Sequence, residues 1–346
     1  MNNPHSAPTL DDVARVSGVS TATVSRCLNT PNRVSEAARI KVMQAVEQLG
    51  YTPNFGARAM AAKRTFTIGA IIPTMENAIF ARGLQAFQEE LHTRGYTLLV
   101  SSTGYQAKTE AEQIRTLVSR GADGLLLIGY DRDPDLYEFL NRRSVPTLIA
   151  WAFSKDSPHA SIGFDNHASM RMMANEVIEM GHRRIAMISG LIAGNDRAAG
   201  RLSGVRTAMK THGLDGDAMP VVQTSYETEN GAAAFEQLMQ ANPRPTAVMC
   251  GNDVLAVGAM RRAREMGLDV PRDVSITGFD DIELARVVTP ALTTVHVPHR
   301  EMGRRAAKEL VQMLENGSKS PVIELQSTLQ MRGSLAAPCA DHERSN

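Results

Sequence analysis

From Thr67 onward the chain repeats one theme: a short, almost wholly apolar run, then an amphipathic stretch that closes on glycine. The runs are TIGAIIP from Thr67, YTLLVSS from Tyr96, DGLLLIG from Asp123, VPTLIA from Val145, RIAMISG from Arg184, TAVMCG from Thr246 and VSITGF from Val274. Runs of this kind, bounded by turn residues, read as strands buried on both faces. After the first of them, Phe80, Leu84, Phe87 and Leu91 recur at helical spacing before Gly95, and comparable helical stretches end at Gly121, Gly181, Gly213 and Gly267. Strand alternating with helix at this spacing implies right-handed crossovers and parallel sheets with helices on both faces. The units outnumber one comfortable sheet, so two sheets are expected as two lobes. The chain is expected to cross between them near residue 161, near Pro290 and near Pro321, with a ligand cleft at the carboxyl ends of the strands.

The first 65 residues do not share this theme. Thr9 is placed to cap a first helix, with Asp12 at its third position, and Gly18 breaks it. Ser20 caps a second helix running to about Asn29. Ser35 caps a third, in which Ala38, Val42, Ala45, Val46 and Leu49 recur at helical spacing before Gly50. Tyr51, Thr52 and Pro53 stop regular structure, and Asn54 caps one further short segment to Ala62. The expected organisation is therefore a helical unit over 1–53, a linker over 54–65, a two-lobed core over 66–335 and a tail over 336–346.

Charge supports the same division. Net charge is zero over 346 residues, but the first 65 carry eight Lys or Arg against four acids, leaving the remainder acidic. A small basic head on a larger acidic body is the asymmetry of a nucleic-acid-binding module joined to a domain with a different task. Hydrophobic residues at 43% and charged residues at 21% are those of a folded globular chain. No uncharged stretch approaches the ~18 apolar residues of a membrane span. Asp11 and Asp12 stand where a secretion signal would be basic and then apolar, so no membrane partner and a cytoplasmic location are expected. Cys27, Cys250 and Cys339 are too widely separated for a Cys-x-x-Cys metal pair and are read as inert thiols.

The segment TLDDVARVSGVSTATVSRCLN, Thr9 to Asn29, meets the physical requirements of a helix-turn-helix, although spacing alone also fits an ordinary helical hairpin. Val13, Ala14, Val19, Val24 and Leu28 supply a small core, and Gly18 permits the sharp turn. The second helix would then present Thr21, Ala22, Ser25 and Arg26 to the major groove. Arg26 is the strongest base-reading candidate, because a guanidinium bonds bidentately to a guanine edge. Ser20, Thr23 and Asn29 are candidates for phosphate contacts.

These residues carry a close resemblance. Thr-Leu-x-Asp-Val-Ala, then Gly-Val-Ser-x-x-Thr-Val-Ser-Arg, then Val-Ser and Arg39 to Val42, then Leu49-Gly-Tyr-x-Pro-Asn54, resembles the amino-terminal domain of the lactose- and galactose-repressor (LacI/GalR) family. The match spans about 60 residues, and the alternating remainder is similar to that family's core to about residue 335. The resemblance implies an all-α N-terminal helix-turn-helix domain followed by an α/β two-lobed periplasmic-binding-protein-like core. It implies a homodimeric repressor that binds double-stranded DNA at a palindromic operator, with Thr9 among its DNA-contacting residues. It also implies that Asn54 to Ala62 is a hinge helix entering the minor groove, with Asn54 and Ala57 at the DNA and Met60 where relatives carry an intercalating leucine. Met60 either wedges between base pairs or packs on the core alone.

For the core, the resemblance places Arg201, Asn252 and Asp280 at effector-binding positions, with Asp165 as a fourth that alternatively caps the helix it opens. A sugar or sugar acid fits such a set, since hydroxyls and a carboxylate need an arginine fork with amide and carboxylate partners. Asn77 and Phe80 stand where relatives have an Asn-Pro-Phe-Phe stretch. Trp151 occupies a position where many relatives carry aspartate, and either stacks on a sugar face or packs between the lobes. Losing that aspartate while keeping Arg201 favours an anionic effector, and GYQAKTEAEQ and IGFDN resemble the gluconate-repressor branch. Asp253 and Asp281 read as helix caps in preference to ligand contacts.

An enzyme has no support in motifs: there is no phosphate loop, dinucleotide fingerprint, nucleophile elbow or His-Glu-x-x-His pair, and no cofactor is expected. A transport-type binding protein would share the core but have no use for a DNA-reading head. The tail after Met331 lacks leucine heptads, so a dimer is the expected limit of assembly.

Overall fold

The computed structural model describes residues 7–52, 56, 59, 62, 64–76, 78–317 and 321–339, which fall into two compact units divided between Thr65 and Phe66.

In the first unit, helix α1 (Leu10–Ser17) begins at a reciprocal cap. The Asp12 backbone N–H donates to Thr9 Oγ1 at 3.3 Å, and the Thr9 N–H donates to the Asp12 carboxylate at 3.0 Å. These bonds from Thr9, with Arg15 beside them, hold the Asp12 carboxyl down to about 2. Gly18, at φ +68°, ends the helix in a left-handed turn that disfavours a side chain. Helices α2 (Thr21–Asn29) and α3 (Glu36–Leu49) start at Ser20 and Ser35 as expected, and Gly50 ends α3. Val13, Val24, Val42 and Ala45 form the core, joined by two residues that had no packing role in the sequence reading, Cys27 and Tyr51. Thr9→Ala should lower the stability of this unit by about 1 kcal/mol, seen as earlier loss of helical circular dichroism when the full chain is heated.

The second unit holds two parallel sheets. Its strands are β1 (Thr67–Ile72), β2 (Thr97–Ser102), β3 (Gly124–Ile128), β4 (Thr147–Ala150), β5 (Ser161–Gly163), β6 (Ile185–Gly190), β7 (Val221–Thr224), β8 (Ala247–Cys250), β9 (Ser275–Thr277), β10 (Thr294–His296), β11 (Val322–Glu324) and β12 (Thr328–Gln330). The first lobe carries the order β11-β5-β4-β3-β1-β2 and the second β7-β6-β8-β9, while β10 and β12 pair antiparallel. Every apolar run named from the sequence is a strand. β1, β3 and β8 are buried along their whole length, whereas β2 lies at a sheet edge with Leu99 and Val100 exposed.

The chain crosses between lobes three times, each a few residues later than expected. β5 and β11 still belong to the first sheet, so the first and third crossings follow Gly163 and Glu324; the second follows β10 instead of lying at Pro290. After it, helix His299–Asn316 returns to the first lobe and packs on helix Ala78–Thr93 so closely that a Cβ on Gly303 would overlap the Gly83 carbonyl. The tail also starts later than residue 336. The Ala336 carbonyl accepts from His182 Nε2 at 2.8 Å and from Ser275 Oγ at 3.1 Å, which ties it to the second lobe.

Candidate functional site

Five of the residues singled out for an effector converge between the lobes. Phe80, Trp151, Arg201, Asn252 and Asp280 line one narrow cleft. All but Arg201 sit where an element starts or ends, and Arg201 lies in the second turn of its helix. Arg201 lies in helix Asp196–Thr211 after β6, Asn252 caps helix Asp253–Glu265 after β8, and Asp280 follows β9 at φ +103°. Placing a non-glycine residue there strains the backbone, a cost that persists only where surroundings enforce it.

The polar groups are buried and incompletely bonded. Arg201 is 6% exposed, its guanidinium lies 4.7 Å over the Phe279 ring, and Nη2 reaches Tyr226 Oη at 3.5 Å. Arg201 Nε, Asn166 Oδ1 and Asp280 Oδ2 are buried with no hydrogen-bond partner among the described residues. Native interiors leave few such atoms unmatched, and three around one cleft mark a place built for a polar ligand. Burial lifts the Asp280 carboxyl to about 7 against the opposing pull of Arg201. Behind it, burial with His296 and Arg82 nearby holds the His299 ring down to about 3, so His299 is neutral. Trp151 Nε1 donates to His299 Nδ1 at 3.1 Å, and His299 Nε2 lies 3.7 Å from Asp280 Oδ1.

Trp151 is 2% exposed at φ +62°, with its ring edge-on to Phe80 at 5.5 Å and against the bare α-carbon of Gly83. Its partners Phe80, His299 and Met302 are all first-lobe groups, so the ring packs within that lobe while bordering the cleft. Asp165 is not among the lining residues: its Oδ1 accepts from Ala168 N at 2.9 Å, the capping alternative, and the next residue, Asn166, faces the cleft instead. Asp253 and Asp281 are not caps. Asp253 accepts from Ile282 N at 2.8 Å and Thr294 Oγ1 at 2.6 Å, and burial lifts its carboxyl well above the usual range. Asp281 is buried, which raises its carboxyl, but bonds from Arg286, Arg332 and His296 outweigh this and hold it below the ordinary value.

Sequence reading missed Tyr105, Tyr226, Asn166, Asn195 and Arg197, all of which line the cleft. Tyr105 follows β2, and the rule that sites gather at carboxyl ends of strands would have found it. Tyr226 follows β7, whose half-polar VVQT gave no strand signal. The two rings face each other across the cleft at 5.9 Å. Burial and Tyr226 push the Tyr105 phenol up, which keeps it a proton donor.

In the first unit, Ala22 and Arg26 are exposed four residues apart on α2 and share one face, with Thr21 and Ser25 half-buried beside them. Ser20 and Thr23 are engaged in the cap: Thr23 N donates to Ser20 Oγ at 3.2 Å, and the two hydroxyls lie 2.9 Å apart. Thr9 is exposed within its own cap. Asn54, Ala57, Met60 and Asn77 lie outside the described residues, as does the side chain of Asn29. Among the described residues no helix is long and apolar enough to cross a membrane.

Comparison with known proteins bears on both units. A family model described as bacterial regulatory proteins, lacI family, matches residues 9–54, and one described as a periplasmic binding protein-like domain matches residues 174–335. The chain is 35% identical over 342 residues to the HTH-type transcriptional repressor PurR of Escherichia coli O1:K1 / APEC, covering 97% of this chain and 99% of that one. Among solved structures it is similar to the lac repressor dimer bound to operator and the anti-inducer ONPF, with TM-score 0.85 and 26% identity over 96% of this chain and 100% of that one. It is similar also to the transcriptional regulator CelR in complex with cellobiose, with TM-score 0.69 and 30% identity over 94% and 99%.

Proposed function

We propose that this chain, which belongs to the LacI family of bacterial regulatory proteins, represses transcription as a homodimer whose paired heads read a palindromic operator under the control of a small effector held between the lobes. It is a DNA-binding regulator with an effector-binding core, acting in the cytoplasm and not as an enzyme. The single observation that carries the reading is the joining of a helix-turn-helix, with Arg26 and Ala22 on its exposed face, to a cleft holding three buried polar atoms without protein partners.

On this reading Thr21, Ala22, Ser25 and Arg26 meet base edges, while Ser20, Thr23, Asn29 and Thr9 meet phosphates. A cap hydroxyl that accepts one backbone N–H still has a proton to donate. Residues 54–65 form the hinge, with Asn54, Ala57 and Met60 at the minor groove. In the cleft, Arg201 and Asn252 take oxygen atoms of the effector, Asp280 and Asn166 take its hydroxyls, and Phe80 and Trp151 supply an apolar wall. Asn77 completes the first-lobe side, and Asp165 acts through its cap. A sugar or sugar acid has this pattern of groups.

The test is a footprint of the full chain on its own upstream DNA at fixed salt, repeated with sugars and sugar acids. A palindromic footprint of about 14 to 20 base pairs, altered by one compound, supports the reading. Arg26→Ala should lower discrimination at one base pair per half-site by about 1 to 3 kcal/mol. A uniform loss across sequences would make Arg26 a phosphate contact instead. Protection of no site in any condition would remove the regulator reading.

A further inference from the structure

Beside the cleft the two lobes are bridged by a contact that the effector reading does not use. Helix Asp196–Thr211 of the second lobe begins with Asp196 and Arg197, and both reach the first-lobe turn that follows β3. Tyr130 N donates to Asp196 Oδ2 at 2.7 Å, and Arg197 Nη1 donates to the Ile128 carbonyl at 3.2 Å while pairing with Asp196 Oδ1 at 2.8 Å. Arg197 is 7% exposed, so this is not a solvated surface pair.

The receiving turn is held in shape from its own side. Buried Arg132 donates to the Gly129 carbonyl at 2.8 Å and to the Ile128 carbonyl at 3.2 Å, and is itself fixed by Glu110 at 3.1 Å. Between the two gripped groups lies Gly129 at φ +70°, where a Cβ would overlap both the Arg197 guanidinium and the Asp196 carboxylate. Only glycine suits both the backbone and the approach of the opposite lobe. Every donor and acceptor in the contact belongs to the chain itself.

From this geometry we propose that Asp196 and Arg197 form an interlobe latch that closes on the Gly129 turn and sets how often the cleft opens before any effector arrives. The effector then enters by displacing a protein contact, and the latch fixes the fraction of chains competent to admit it. Relaxing it should raise the rate of ligand entry.

The only tryptophan in the chain, Trp151, borders the same cleft and reports its opening. Acrylamide quenching of the full-length protein should rise about two-fold or more in both Asp196→Ala and Gly129→Ala, with unchanged far-ultraviolet circular dichroism and a larger radius of gyration by X-ray scattering. Asp196→Ala makes no backbone demand and carries the test if Gly129→Ala fails to fold. Wild-type quenching in Asp196→Ala overturns the proposal, and so does raised quenching at an unchanged radius, which would be loosening confined to one lobe. The measurement needs neither operator nor effector, so its failure is separable from failure of the regulator reading.

Discussion

Arg201→Ala is expected to weaken effector binding by about 30- to 3,000-fold, the range for truncating one member of a buried charged contact. Operator binding without effector should stay near wild type. The guanidinium is enclosed by the Phe279 face, Tyr226 and the neighbourhood of Asp280, and its Nε has no protein partner. A ligand oxygen at that position gains a charge-assisted bond in a poorly hydrated place, where such bonds are strongest. Removing the group also leaves Asp280 without its nearby cation, which adds to the loss for any ligand that relies on both. Calorimetric titration beside operator binding separates the two effects. Normal effector affinity in this variant would take Arg201 out of the site, whatever the family resemblance implies.

Asp280→Asn should change how stability depends on pH. Burial lifts this carboxyl from 3.8 to about 7. Between those values the folded chain keeps a proton that the unfolded chain has released, so its contribution to stability falls as pH rises from about 4 to about 7. His299 works in the opposite direction: its ring is held down to about 3 from 6.5, so its contribution rises with pH over that interval. The asparagine variant removes only the first effect. Its advantage over wild type should therefore grow from about pH 4 to pH 7, reaching at most roughly 4 kcal/mol, and then level off. Urea unfolding at pH 4.5, 6 and 8 measures it, and parallel profiles for the two proteins would show that Asp280 does not titrate in this window.

The parts of the molecule legible in the sequence are those fixed by local chemistry. Thr9, Ser20 and Ser35 cap the helices they were expected to cap, because a short hydroxyl side chain satisfies free N–H groups wherever a helix begins. The short apolar runs bounded by turn residues became strands, since they are too short to make buried helices. What stayed hidden depends on distant partners. β5, β10, β11 and β12 have three residues each with no longer apolar run around them, unlike β9 within VSITGF, and they pair with neighbours from far along the chain. The cleft was legible where a polar residue follows a recognisable strand, as for Asn252 and Asp280, whereas Arg201, inside a helix, was placed by the family resemblance. Asp165 and Asn166 show the limit: both are short polar side chains at one helix start, and only the fold decides which caps and which faces the cleft. Asp281 looked like a cap and is instead a junction of Arg286, Arg332 and His296, three residues that no spacing rule joins.

The late return of the chain to its first lobe has a consequence for synthesis. β11, the outermost strand beside β5, and helix His299–Asn316, which covers β3 and β4, are supplied by the last part of the sequence. While a ribosome is still making the second lobe, the first has an open sheet edge at Ser161–Gly163 and an uncovered apolar face around Ile68, Leu126 and Leu148. The first lobe cannot then mature in order of appearance, and until its last strand and helix are made that face is open to other chains. A stop codon before residue 299 would cost the first lobe its outer strand and its covering helix, although it spares every strand of the second sheet.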